Sequence, residues 1–307
     1  MGSATPAVDN ALGHKPASFF KLTCRKIGAY TERYWGGIMI SAKQLIQSLL
    51  LFVLFISVFS RAEVQETAQM SEALSAVDAK TLLVFDLDNT IIEPVQTLGS
   101  DQWFEAQVKH YVVVEHLDPD RAIHKAIILW SKIQQVSGVQ PVEKNTPFLI
   151  KEKQEQGIRV MGLTARPQEL STRTREQLKS IGVDLSLTAV STKDFAVQGV
   201  SDAKFTRGIT FVGTNNKGKV LAALLKQLDL VPAKVVFVDD KEKHVKSVDV
   251  ALKELGIKYL GFRYGAADEK VKRYETEFAP LAAVQLQFFG KLLTDKAAKA
   301  ILENDRD

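Results

Sequence analysis

The run LLVFDLDNTII, from Leu82 to Ile92, sets two carboxylates, Asp86 and Asp88, two positions apart behind an apolar stretch. Alternate residues of an extended chain point the same way, so both acids can face one substrate or one cation. An unbroken apolar run suits a strand buried on both faces of a parallel sheet, and such sheets bind ligands at their carboxyl edge. Crowding like charges is costly unless a cation relieves it, and an all-oxygen set of this kind makes Mg²⁺ the first expectation. Surface turns rich in Asp and Asn are the ordinary alternative for DLDNT alone. The rest of the chain has to decide.

Three more strand-like runs end in groups that do chemistry. Thr164 closes IRVMGLT (Ile158–Thr164), Lys217 follows ITFVG (Ile209–Gly213), and Asp239 and Asp240 close VVFVDD (Val235–Asp240). A fifth run, IKYLGFRY (Ile257–Tyr264), carries none. Helical segments separate them: Gln168 to Ser180, stopped near Gly182; Lys217 to Leu228; and a helix to about Leu255, stopped by Gly256. Strands alternating with helices predict an α/β fold, a doubly wound parallel, Rossmann-like sheet with right-handed crossovers. The carboxyl ends then share one edge, where four sets of reactive groups converge. Taken singly, each has a bland reading. Thr164 could cap the helix near Gln168, Lys217 competes with Lys219, Arg166 either clamps a phosphate or sits in solvent, and acids that open a helix favour its dipole.

Together they resemble the haloacid dehalogenase-like superfamily of phosphatases and phosphotransferases, and within it an uncharacterised bacterial group. The motif DxDxT matches Asp86-Leu87-Asp88-Asn89-Thr90, a strand-ending Thr matches Thr164 in MGLTAR, a Lys at a helix start matches Lys217 in TNNKGKVL, and a strand ending in DD matches Val238-Asp239-Asp240. The likeness spans about Thr81 to Tyr264 and implies a Mg²⁺-dependent hydrolase acting on a small phosphomonoester. By that likeness Asp86 is the nucleophile and Asp88 the proton donor and acceptor. Mg²⁺ is held by Asp86, the backbone carbonyl of Asp88 and Asp240, with Asp239 as the alternative ligand or its orienter. Thr164 and Lys217 hold the phosphoryl group. Thr90, Arg166 and Glu93, the last leading from the catalytic strand into the following loop, are substrate-binding candidates. A phosphomutase or phosphotransferase could use the same groups, and a non-catalytic binding protein could keep the fold.

The first and second strands are separated by a long helical stretch, expected as a cap over residues 93–145 between core segments 81–92 and 146–264. Its helices run from Asp101 to about His116 and from Asp118-Pro119 through DRAIHKAIILWSKIQQ; Thr146-Pro147 repeats the same opening signal for a core helix closed by Gly157. Trp103, Phe104 and Trp130 read as the interior of the cap. His110, His116 and His124 lack the i, i+4 spacing of a metal site. Residues 265–307 form a helical tail whose Phe288 and Phe289 are expected to pack on the sheet, and residues 63–80 read as a linker or lead-in helix. Composition adds exclusions. A net charge of +4 with scattered Lys and Arg gives no nucleic-acid surface, and the one cysteine, Cys24, excludes an internal disulfide framework or a multi-thiolate zinc site. Oligomeric state is not encoded in any pattern here.

Leu45 to Phe59 is one apolar run of about 15 residues, short for a bilayer span of ~20. Lys43 precedes it, Ser60-Arg61-Ala62 follows, and small residues at Ser60 and Ala62 fit a signal peptidase site. With translation starting at Met39, residues 39–62 form a signal peptide or, failing cleavage, a membrane anchor, and 1–38 are an extension from a misassigned start or a cytoplasmic tail. The membrane is expected to be met only through this segment. The mature chain is therefore expected to start at Glu63 and to lie outside the cytoplasm, in the periplasm or beyond. N-terminal sequencing from the native host checks this. An intact terminus upstream of Leu45 in the membrane fraction would establish the anchor instead, and the same terminus on soluble cytoplasmic protein would overturn both.

Overall fold

The computed structural model describes residues 64–304. The extension, the apolar run and the cleavage site lie outside the described residues. Ten strands are numbered here in chain order: β1 (Val64–Thr67), β2 (Thr81–Phe85), β3 (Ile92–Pro94), β4 (Val139–Pro141), β5 (Arg159–Thr164), β6 (Phe195–Ala196), β7 (Lys204–Thr206), β8 (Ile209–Phe211), β9 (Lys234–Asp239) and β10 (Lys258–Tyr264). Eight form one sheet in the order β1-β10-β9-β2-β5-β8-β7-β6, parallel except for the β6 and β7 pairings at one edge. The fold is α/β and doubly wound, as the alternation of elements predicts.

β2 is the hinge of this topology. All five of its residues are buried, and it pairs in parallel with β5 on one side and β9 on the other. The chain builds outward from β2 through β5 and β8, then crosses back to lay β9 and β10 on the opposite side. Helices cover both faces. Met70, Leu74, Ile150 and Leu178, from α1 (Met70–Ser75), α4 (Thr146–Glu155) and α5 (Ser171–Ser180), pack with Leu83 and Phe85 on one face. Leu221, Leu224, Val245 and Leu252, from α6 (Lys217–Gln227) and α7 (Glu242–Glu254), pack with Leu82 and Val84 on the other. Alternate residues of one short strand thus feed two separate cores.

Between β2 and β5 the antiparallel pair β3–β4 forms a stem, with Ile92 opposite Pro141 and Pro94 opposite Val139. It carries α2 (Asp101–Val113) and α3 (Pro119–Val136). Their starts follow from their caps: the Ser100 hydroxyl accepts from the Trp103 amide, and the Asp118 carboxylate accepts from the Arg121 amide ahead of Pro119 at the first helical position. Leu98, Trp103, Trp130 and Ile133 pack there with Leu170 of the core and with Tyr274 and Ala282 of the tail. The tail itself is α8 (Asp268–Lys272), α9 (Ala279–Gln287) and α10 (Asp295–Asn304), joined by single-turn segments. Among the described residues no helix is long and apolar enough to cross a membrane.

Three expectations need correction. Residues 64–80 are no linker but hold the lead-in helix: β1 pairs in parallel with β10, Val64 opposite Gly261, and α1 buries Met70 and Leu74. The sheet therefore begins well before Thr81. Thr146 does not cap α4; the preceding residue is the N-cap, and the Thr146 hydroxyl is buried without a partner. The tail phenylalanines do not reach the sheet, since Phe288 is exposed and Phe289 packs on the cluster shared with the insert. The short hairpin of β6 and β7 carries too few apolar residues to announce itself.

Gly218 fixes how closely α6 and α7 approach: a Cβ there would sit 2.0 Å from the Ser247 carbonyl oxygen, a backbone atom that cannot swing away. Gly218→Ala is expected to destabilise the protein by about 2 kcal/mol, by forcing apart the helices behind Lys217. Gly138→Ala, whose new carbon would meet only Val95 at 3.6 Å, is the control expected to change little. Thermal melts of the two variants check the contrast, and equal shifts would contradict it.

Candidate functional site

At the carboxyl end of β2 the chain turns sharply. The amides of Thr90, Ile91 and Ile92 all point to the Leu87 carbonyl, and Asn89 takes a positive φ of 56°. Asn can adopt that left-handed conformation because its short polar side chain tolerates it. The turn leaves Asp86 and Asp88 projecting from the strand end, and the neighbouring ends of β5 and β9 bring Thr164 and Asp239 beside them.

Lys217, the first residue of α6, holds the arrangement together. Its side chain is 1% exposed, and its ammonium lies 2.6 Å from Asp86 Oδ1 and 2.7 Å from Asp239 Oδ2. Burial alone would discharge it, but the two carboxylates outweigh that and raise its pKa. The acids respond unequally. Burial pushes Asp86 up to about 7 against the pull of Lys217, with Asp239 adding repulsion. Asp239 is held well below the usual carboxylate range: burial opposes this, but Lys217 and His244 prevail. Its Oδ1 also accepts from the Lys241 amide at 2.8 Å and faces His244 Nδ1 at 3.1 Å. Burial lowers the His244 pKa, which favours a neutral ring there.

Asp240 has no such support. Its Oδ1 is buried and lacks any hydrogen-bond partner, and burial together with Asp101, Asp239 and Asp86 drives its pKa well up. Oxygens of Asp86, Asp239 and Asp240 all lie within 4.8 Å of one another. Three carboxylates thus converge where one ammonium meets only two of them, and an oxygen of the third is left without a partner. An all-oxygen set carrying excess negative charge fits a hard divalent cation. Asp239, whose oxygens already have partners, is the poorer ligand of the DD pair, and Asp240 the better.

Asp88 points to a different partner. Arg166 Nε and one terminal nitrogen each donate to an Asp88 oxygen at 2.8 Å, a two-pronged pair, while its other terminal nitrogen donates to Thr174 and Gln177. Arg166 is 2% exposed, so it neither sits in solvent nor presents a free fork to a phosphate. The solvent reading is thereby corrected, and its fork is engaged by Asp88. Thr164 does not cap the next helix; its hydroxyl accepts from the Arg166 amide at 3.1 Å and is buried at the strand end. Thr90 is fully buried with an unpartnered hydroxyl. Glu93, in the stem, accepts from Gln140 at 2.8 Å and from Lys270 at 2.9 Å, so it is committed to the tail and not to the site.

A cleft of about 530 Å³ opens beside Asp240, lined also by Asn89, Asp101, Glu105, Lys241 and Arg263. Lys241 spans it, reaching Asp101 at 2.8 Å and Glu105 at 2.6 Å on α2, and so ties the β9 end to the insert. Sequence reading passed over Lys241, His244 and Asp101. The first directly follows the DD pair and the second lies one helical turn further on, which was the available signal. Asp101 opens a well-capped helix, but nothing local says what that helix faces.

The chain belongs to the family described as protein of unknown function DUF2608, whose model matches residues 63–299. A Chlamydia pneumoniae protein named "Putative outer membrane protein" is 27% identical over 244 residues, 79% of this chain and 90% of that one. An uncharacterised protein of Rickettsia prowazekii is 27% identical over 246 residues, 77% of this chain and 88% of that one. Among solved structures, a haloacid dehalogenase-like family hydrolase of Streptococcus pneumoniae aligns with a TM-score of 0.38 at 14% identity, over 60% of this chain and 84% of that chain. Values that low leave the chemistry to be argued from the site itself.

The unsupported charge on Asp240 has a measurable cost. Its raised pKa means the folded chain holds a proton that the unfolded chain releases near pH 4, so stability falls as pH rises through that interval. Asp240→Asn removes the penalty. In chelator it is expected to raise Tm by about 3 °C at pH 8, on the order of 1 kcal/mol, and by much less near pH 4. Calorimetry across that range checks the trend. A gain independent of pH, or a loss at pH 8, would count against it.

Proposed function

We propose that this chain is a Mg²⁺-dependent phosphomonoester hydrolase of haloacid dehalogenase-like type that works through an aspartyl-phosphate. The observation that carries the reading is the buried trio of Asp86, Lys217 and Asp239 with the unpartnered Asp240 oxygen beside it. A carboxylate held by a lysine at a strand end is a nucleophile in need of an anionic, electrophilic partner, and phosphorus in a monoester is one.

Asp86 attacks phosphorus, and the ester oxygen leaves with a proton from Asp88. Asp88 then takes a proton from water, whose oxygen attacks the same phosphorus and frees phosphate and Asp86. Lys217 stays against the nucleophile and meets the negative charge that gathers on the phosphoryl oxygens, with Thr164 as a hydrogen-bond donor to one of them. Mg²⁺, held by Asp86, the Asp88 backbone carbonyl and Asp240, would supply the remaining positive charge. Asp239 keeps Lys217 and His244 in place. The cleft beside Asp240 has the size of a small-molecule site, which favours a small phosphorylated substrate. The insert serves as the cap that limits access to it. Export is part of the same reading, supported by the apolar run before Ala62 and by the name of the chlamydial relative.

Hydrolysis of a generic aryl phosphate by the chain from Glu63 onward tests the proposal. Activity is expected only with divalent cation, and Asp86→Asn is expected to leave under about 1% of it with the fold intact, because an amide is no nucleophile. Asp240→Ala is expected to raise the Mg²⁺ concentration required more than Asp239→Ala does. Full activity in excess chelator, or more than a few per cent in Asp86→Asn, would end the assignment.

A further inference from the structure

A buried guanidinium with no substrate to bind needs another reason to be there. Arg166 follows Thr164 by two residues at the end of β5, and its side chain is 1% exposed. Removing such a charge from water costs several kcal/mol unless every donor is used well. Here the donors are used in two directions. One edge grips both oxygens of Asp88 at 2.8 Å. The remaining nitrogen donates to Thr174 Oγ1 at 3.1 Å and Gln177 Oε1 at 2.6 Å, both on α5.

The contacts continue into the insert. The Gln177 amide donates to the Gln134 side-chain oxygen at 3.2 Å and to the Ser137 carbonyl at 2.9 Å, at the end of α3. Gln134 and Trp130 both donate to the Gly99 carbonyl, at 2.7 and 2.8 Å, in the turn that enters α2. The Trp130 ring stands over the guanidinium at 5.4 Å, a cation–π contact from the insert onto the same residue. Gln134 and Gln177 are almost wholly buried, so this path has no water to substitute for a lost partner.

We propose that Arg166 is a positioning residue: it fixes the Asp88 carboxylate, and through Gln177, Gln134 and Trp130 it ties that carboxylate to the helical insert. The role rests on the hydrolase reading for its catalytic meaning but not for its structural one. Asp88 is the group that exchanges protons with the leaving oxygen and with water. A planar fork sets its orientation as a single point charge could not. An insert that shifts relative to the core must pull on Trp130 and Gln134, and so on the group that moves protons. Proton transfer is thereby made to depend on where the insert sits.

Two measurements separate this from plainer roles. The first is activity on aryl phosphates whose leaving groups differ in basicity. Arg166→Met is expected to cut the single-turnover rate of alcohol release about 100-fold for phenyl phosphate, which needs a proton on departure, and only a few-fold for dinitrophenyl phosphate, which does not; this step precedes the water attack that Asp88 serves for both. KM is expected to stay within about three-fold, Arg166→Lys to remain impaired for want of a fork, and added guanidinium ion to restore part of the methionine variant's rate. A rise in KM with kcat kept would make Arg166 a phosphate ligand. An equal loss of the alcohol-release rate on both substrates would make it merely structural. Either overturns the proposal.

The second measurement needs no turnover: thermal double-mutant cycles pairing Arg166→Met with Asp88→Asn and with Trp130→Leu. Tm shifts are expected to be non-additive by several degrees in both cycles, and additivity within about one degree in either would break the link. If the wild type hydrolyses no phosphate ester, the hydrolase reading fails, while the cycles still decide whether Arg166 joins Asp88 to the insert.

Discussion

One ammonium between two buried carboxylates organises this molecule. Taking Lys217 and its two acids out of water costs several kcal/mol per charge. Contacts of 2.6 and 2.7 Å return attraction on the order of 6 kcal/mol each at an effective dielectric of about 20. That balance closes only if all three groups are held in register by elements far apart in sequence. Asp86 comes from the central strand, Asp239 from the strand beside it, and Lys217 from the helix that crosses between the two halves of the sheet. The close approach of α6 to α7 at Gly218 serves the same geometry, since a wider gap would carry Lys217 away from the strand ends. Fold and site are therefore one problem. The doubly wound topology is what lets residues 86, 217 and 239 meet.

How much of this could be read beforehand follows from how local each signal is. β2, β5, β9 and β10 were legible because strands buried on both faces need continuous apolar runs, and Leu82–Phe85 or Val235–Val238 leave no other period to fit. Helix ends marked by Asp118-Pro119, Gly182 and Gly256 were legible for the same reason: caps and stops act within a few residues. β1 was hidden. VQET has no apolar run, because an edge strand is covered on one side only and meets solvent on the other. Its place beside β10 is set by hydrogen bonds to the backbone, which leave little trace in side-chain chemistry. Thr146 misled because Thr-Pro reads as a cap wherever it occurs, whereas here the helix begins one residue earlier.

The site divides along the same line. That acids, a lysine and a threonine meet at one edge follows from strand-end positions, and those were visible. Which group partners which was not. Asp239 and Asp240 are identical in sequence terms, yet one is bonded to Lys217 and His244 and the other keeps a buried oxygen without a partner. The strand's alternation sends neighbouring side chains to opposite faces, and only the packing of α6 and α7 on one face decides which acid is matched. Arg166 could not be assigned from its surroundings in sequence either. Its partners come from three separate segments: Asp88 after β2, Thr174 and Gln177 on α5, and Trp130 in the insert.

The insert is fixed from the far side as well, and this bears on how such a site works. Gln285 of α9 is fully buried. Its oxygen accepts from the Leu98 amide at 2.9 Å, and its nitrogen donates to Asp295 at 2.8 Å, whose two oxygens take the Thr97 amide and hydroxyl at 2.7 and 3.0 Å. Lys270 reaches Glu93 in the stem, and Glu143, just past the stem, takes the Met70 amide at 2.6 Å and the Tyr264 hydroxyl. Both strands of the stem are thus tied down, and the loop after it is gripped by the tail. An insert held only by its two-stranded stem would be free to swing. One held at Thr97, Leu98 and Glu93 by the last helices of the chain keeps a narrow range of positions over the strand ends. The first tail helix lines the cleft beside Asp240 with Asp268 and Val271, and the later ones limit where α2 can carry Asp101 and Glu105, and hence where Lys241 is drawn beside Asp240. The C-terminal helices are in this sense as much a part of the site's geometry as the strands that supply its acids.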